Sequence, residues 1–161
     1  MNIYKKLHII FTVLSFIFPL VLYIYTMAPT ASFWDCGEFI ATSYILGVPH
    51  PPGSPLFLLL GNVFTNLPFF NDIGARVNLI SPIVSAFSVM FLYLIIVQLI
   101  EEFQGKSKDT SKIIINNVSA FLAALTFAVT DSHWFNAVEA EVYSLSTFFT
   151  AIVIWMILKW A

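Results

Sequence analysis

The chain has 161 residues, of which 59% are hydrophobic and 10% charged, and its mean hydropathy is +0.88. Soluble domains run at about 45–50% apolar and about 25% charged residues, so this composition calls for an apolar solvent. A net charge of −2 gives nucleic acid no basic footprint, and the single cysteine, Cys36, excludes a disulfide within these residues.

Four runs free of Asp, Glu, Lys and Arg, at about 7–27, 79–100, 113–130 and 142–158, are each near the ~20 residues needed to cross a ~30 Å hydrocarbon core. The first follows Lys5 and Lys6 and contains Pro19. It exceeds the about 7–15 apolar residues of a signal-peptide core and reads as an uncleaved anchor. Lys5, Lys6, the connector 101–112 with Lys106, Lys108 and Lys112, and Lys159 fall on one side of these spans, and Arg76 falls on the other. The positive-inside rule therefore makes the N-terminus, that connector and the C-terminus cytoplasmic. Six of the nine acids, Asp35, Glu38, Asp72, Asp131, Glu139 and Glu141, are left on the outer face.

The outer loop 28–78 is too apolar for a solvated linker. Residues 33–46 read as a short helix starting at Ser32, with Asp35 three residues on in a near capping-box arrangement. At 100° per residue Asp35, Glu38 and Thr42 share a sector of about 60°, while Ile40 and Tyr44 point away. Such a helix can lie flat at the interface, carboxylates up. The stretch GVPHPPGSP, 47–55, packs four prolines and two glycines into nine residues and cannot continue a helix. Residues 56–67 are apolar but short, which suits a re-entrant or interfacial helix. The second outer connector, 131–141, carries His133, Trp134, Asn136 and two glutamates, and Asp131 is expected to end a span.

Two carboxylates one turn apart at a membrane surface allow three readings. One acts as general base with its neighbour tuning it; both hold a divalent cation through hard oxygen ligands; or both are ordinary acids favoured by the dipole of a first helical turn. Phe33 and Trp34 fit an interfacial aromatic belt or a stacking platform. His50, flanked by prolines, can donate to a phosphate or sugar hydroxyl, or be structural. Arg76 can meet a lipid phosphate or pair with Asp72 four residues earlier. On a helix Glu139 and Glu141 diverge, so one of them faces the first loop. Cys36 reads as packing.

The string FWDCGEFIATSYILGVPHPPGSPL, 33–56, resembles a family of polytopic proteins long carried as domain-of-unknown-function 2723, and HWFNAVEAEVYSLS, 133–146, matches the same family. That family is similar to protein O-mannosyltransferases and looks like a branch of the GT-C superfamily of membrane glycosyltransferases. The resemblance implies an all-α polytopic fold: four transmembrane helices, two interfacial or re-entrant helices in the first outer loop, and a partial GT-C fold over residues 1–161. It implies an inverting enzyme that moves a sugar from a polyprenyl-phosphate carrier to an acceptor hydroxyl, Ser or Thr of an exported protein, at the outer face. Asp35 then matches the essential acid of the first loop and acts as general base. Glu38 and Glu141 orient the acceptor or hold a cation, and His50 or Arg76 steadies the leaving phosphate. A divalent cation on Asp35, Glu38 and Glu141 is left open, because members differ in needing one. The expected partners are the lipid-linked sugar, the protein acceptor and membrane lipids. The expected location is an integral membrane protein of the bacterial inner membrane, N-terminus cytoplasmic and site periplasmic. Relatives have many more spans, so the chain is expected to be the N-terminal part of a longer protein.

Two rival classes stay in view. A transporter or channel subunit would place polar groups near the bilayer midplane, whereas here the span amides Gln98, Asn116 and Asn117 sit near cytoplasmic ends. A non-catalytic scaffold subunit would use its aromatic surface to bind partner helices.

Overall fold

The computed structural model describes residues 3–107 and 109–160. All its regular elements among those residues are helical: α1 (Ile3–Thr26), α2 (Cys36–Ile45), α3 (Pro55–Thr65), α4 (Ile73–Asn78), α5 (Ile80–Gln104), α6 (Thr110–Ala128), α7 (Asp131–Ala137) and α8 (Val142–Trp160). α1, α4–α5, α6 and α8 are long and apolar enough to cross a membrane, which matches the four expected spans. α3 has 11 residues and falls short of a crossing, as its sequence suggests.

α5 is the central span and packs against α1, α6 and α8. Close approach to α6 follows from a stripe of small residues four apart, Ala120, Ala124 and Ala128, all at most 1% exposed. Where lipid gives helices no hydrophobic reason to associate, small residues let backbones come close enough for van der Waals contact. Tyr23, Val89, Tyr93 and Val97 fill the space beside that stripe. The Tyr23 hydroxyl donates to the Ala128 carbonyl at 2.7 Å, where α6 ends. By contrast α8 buries only its first turns, at Ser144 and Leu145.

One end of the bundle carries Lys5, Lys6, Lys106, Lys112 and Lys159; Lys108 lies outside the described residues. There Tyr4 hydrogen-bonds Glu101, Gln98 donates to the Leu158 carbonyl, and Tyr93 donates to Asn117 Oδ1 at 2.7 Å. α2, α3, α4 and α7 gather at the opposite end. Their core, Cys36, Phe39, Phe57, Leu58, Val77, Ile80, Ala140 and Leu145, joins the first outer loop to the starts of α5 and α8.

Several boundaries differ from the expectation. α2 starts at Cys36, with Asp35 rather than Ser32 at the N-cap position and no side-chain cap bond. The αR conformation of Asp35 and the left-handed Trp34 (φ 57°) bring the chain into the helix three residues late. A third short helix, α4, precedes the second span and is capped by the Asp72 carboxylate, which accepts from the Ala75 N–H at 3.0 Å. Asp131 opens α7 instead of ending α6. α5 and α6 extend into the 101–112 connector, leaving only 105–109 between them.

Candidate functional site

Asp35, Glu38 and His50 meet at the mouth of the loop between α2 and α3. Glu38 lies one turn into α2 and faces back toward that loop. One of its oxygens accepts from the His50 backbone N–H at 2.7 Å, and the other lies 2.8 Å from His50 Nδ1. The prolines on both sides of His50 fix the backbone that presents this pair. With Nδ1 turned to Glu38, Nε2 faces Asp35, 4.0 Å from its Oδ2. All three side chains are partly open to solvent. Hydrogen bonding to Glu38 raises the His50 imidazole above its ordinary range, and the same contact lowers the Glu38 carboxyl.

Glu141 comes from the far end of the sequence. It precedes α8 and is 6% exposed, with Glu139 beside it at 2%. Burial, then the charges of Glu139 and Asp35, push the Glu141 carboxyl up to about 7. Segment 138–141 is not helical, and both glutamates of the connector are buried at this end.

Asp35, Glu38 and His50 bring ligand-type atoms together, all within 4.8 Å of one another. The sequence offers Asp35, Glu38 and Glu141 as candidates for a cation; the atoms that converge here are those of Asp35, Glu38 and His50, and Glu141 is buried. Both Glu38 oxygens are engaged by His50, so around a cation Glu38 would orient the ring through Nδ1–H while Asp35 and His50 Nε2 offer the free ligand atoms.

Arg76 lies elsewhere. Its Nε donates to the Phe70 carbonyl at 2.6 Å and its Nη1 to the Thr65 carbonyl at 2.7 Å, so the guanidinium ties down the end of α3. The pairing with Asp72 does not form, because Asp72 caps α4 and accepts from Thr30. Phe33 and Trp34 are 78% and 85% exposed beside Asp35. His133 is buried between Tyr23 and Phe127, and burial holds it neutral with a pKa of about 4. An apolar groove of about 430 Å³ runs along the loop that carries His50, lined by Leu46, Val48, Pro49, Pro52, Leu58 and Leu59.

Residues 35–161 match the family described as Protein O-mannosyl-transferase TMEM260 N-terminal domain. The chain belongs to that family. The match begins at Asp35, so the TMEM260 N-terminal domain takes in all of Asp35, Glu38, His50 and Glu141. Among curated relatives, the Protein O-mannosyl-transferase tmem260 of Dictyostelium discoideum is 28% identical over 157 residues, 96% of this chain and 18% of that protein. The Protein O-mannosyl-transferase TMEM260 of Mus musculus is 31% identical over 119 residues, 74% of this chain and 15% of that protein. The chain thus spans less than a fifth of the length of these TMEM260 relatives. No solved structure matches it.

Sequence reasoning missed Asn78, which is 0% exposed at the end of α4. Its Nδ2 donates to the Ala28 and Thr30 carbonyls at 2.8 and 2.9 Å. Its Oδ1 accepts from the Ala140 N–H at 3.0 Å and faces Cys36 Sγ at 3.6 Å. The one hint in the sequence is a lone amide just before the second apolar run, since a polar side chain that is buried there must be satisfied.

Proposed function

We propose that this chain forms the acidic side of a glycosyl-transfer site that passes a sugar, mannose by the names of its relatives, from a polyprenyl-phosphate carrier to a Ser or Thr hydroxyl of an exported protein, with inversion, on the non-cytoplasmic face. The observation that carries this reading is the convergence of Asp35, Glu38 and His50 at the lysine-poor end of a membrane bundle, with Glu141 buried behind them. Asp35 takes the proton of the acceptor hydroxyl as that oxygen attacks the anomeric carbon. The bond from that carbon to the phosphate oxygen breaks, and polyprenyl phosphate leaves. His50, whose imidazole is shifted toward the protonated form by its hydrogen bond to Glu38, supplies positive charge where the phosphate gains negative charge. The apolar groove beside His50 suits the first units of the carrier's chain. Arg76, already holding two carbonyls, is not needed for this step.

Asp35→Asn keeps the shape of the side chain and removes its basicity. Transfer of labelled mannose by the full chain in membranes is expected to fall at least about 10²-fold, the usual worth of a positioned base. Unchanged transfer at matched protein level would end this reading. The Asp35, Glu38 and His50 set also favours a second form of the same site, in which a divalent cation bound there neutralises the phosphate and His50 is neutral. Loss of transfer in chelator, with recovery on adding Mn²⁺ or Mg²⁺, supports the cation; full activity in chelator assigns the positive charge to His50.

A further inference from the structure

Resting on the transfer site just proposed, we infer that Asn78 is its positioning residue, locking the Glu139–Ala140–Glu141 segment to the start of α2 so that Glu141 is held behind Asp35. The segments it joins are far apart in sequence. On one side its amide nitrogen donates to Ala28 and Thr30, which lead from α1 into the first outer loop. On the other its oxygen receives the N–H of Ala140, the residue between the two buried glutamates. The same oxygen faces the thiol of Cys36, the first residue of α2 and the neighbour of Asp35.

Two donors and an acceptor with two lone pairs are what a primary amide offers, and here each has a partner. No other side chain of this size does this. A carboxylate would repel the two carbonyls, and an aliphatic residue would leave the buried Ala140 N–H without its acceptor and the two carbonyls without their donor. Two further contacts run parallel to it: the Ala28 N–H donates to the Val138 carbonyl at 2.8 Å, and the Glu141 N–H lies 3.4 Å from Ser81 Oγ. Asn78 itself is fully buried and touches backbone, so its effect on the reaction passes through the acids it places.

The test uses the full chain in membranes, with Asn78→Asp, Asn78→Ala and, as a control elsewhere in the bundle, Asn117→Ala, which removes the buried amide bonded to Tyr93 and Ile113. Two quantities are read: kcat and KM for a polyprenyl-phosphate-linked mannose, and the rate at which maleimide labels Cys36, located by peptide mapping. Misplacing a reacting group by about 1 Å can cost about 10²-fold, so both Asn78 variants are expected to lose about 10–100-fold in kcat, with donor KM within about threefold. Cys36, 0% exposed in the native protein, is expected to label faster in both Asn78 variants and at the native rate in Asn117→Ala. Native kcat in the Asn78 variants, or lost kcat with Cys36 as protected as before, overturns the inference. So does equal labelling in Asn117→Ala, which would mean general loosening. If the unmodified protein transfers no sugar from this donor, the functional reading fails. Cys36 labelling then decides on its own whether Asn78 locks the segment.

Discussion

Glu141 is 6% exposed, and burial followed by the charges of Glu139 and Asp35 pushes its carboxyl up to about 7. A carboxyl whose folded pKa lies above its unfolded value stabilises the fold while protonated. That stabilisation is full below the ordinary carboxyl range and is lost as pH rises through the folded value. The thermal midpoint of the protein in detergent is therefore expected to drop between about pH 5 and about pH 8. Glu141→Gln, which cannot ionise, should flatten that slope and be the more stable form at the alkaline end. An unaltered slope in the variant would assign the dependence to other groups. The residue scale also shows what was legible. Asp35 and Glu38 stand one turn apart and could be picked out from spacing. Glu141 came forward through the resemblance of its motif. Asn78 could not be found that way, because its partners, three main-chain groups 48, 50 and 62 residues away and the Cys36 thiol 42 residues away, leave no local pattern.

α2 and α3 form a hairpin whose close contact is set by Gly61. A Cβ there would stand 2.2 Å from Ser43 Oγ and 2.7 Å from Ser43 Cβ, and both residues are buried. Gly61→Ala must push the helices apart, at the roughly 1–3 kcal/mol usual for overpacking, and with them the His50 loop. A lower thermal midpoint, partly recovered by adding Ser43→Gly, is the expected result; an unchanged midpoint would place the contact elsewhere. The end of α3 depends on Arg76 through two charge-assisted bonds to carbonyls. Losing such bonds costs about 1–3 kcal/mol, so Arg76→Gln should lower stability while leaving donor KM within about twofold. A large rise in KM with unchanged stability would return Arg76 to the binding site. From the sequence, Arg76 can either meet a phosphate or pair with Asp72 four residues earlier. The helix that Asp72 caps is only six residues long and runs almost without break into the second span, which hid it.

At the scale of the whole molecule the four spans were legible because lipid imposes length and apolarity on each of them independently. Their mutual packing was less so, since the Ala120, Ala124 and Ala128 stripe reads as just more apolar sequence until α5 lies against it. The bundle separates charge by end: lysines gather where α1 begins and α8 finishes, and Asp35, Glu38, Glu139 and Glu141 gather at the other. By the positive-inside rule this separation supports the proposed placement of the chemistry on the non-cytoplasmic face. Sided transfer in sealed vesicles puts both halves of that statement to the test at once. A Ser/Thr peptide is supplied to one face at a time, the face that bears the α2–α3 loop being identified by impermeant labelling of Ser54→Cys. Mannose incorporation is then compared between the native full chain and Asp35→Asn. Transfer from that face alone, reduced at least about 10²-fold by the substitution, is the expected result. Transfer from the lysine-bearing face, or transfer that ignores the loss of Asp35, would contradict it.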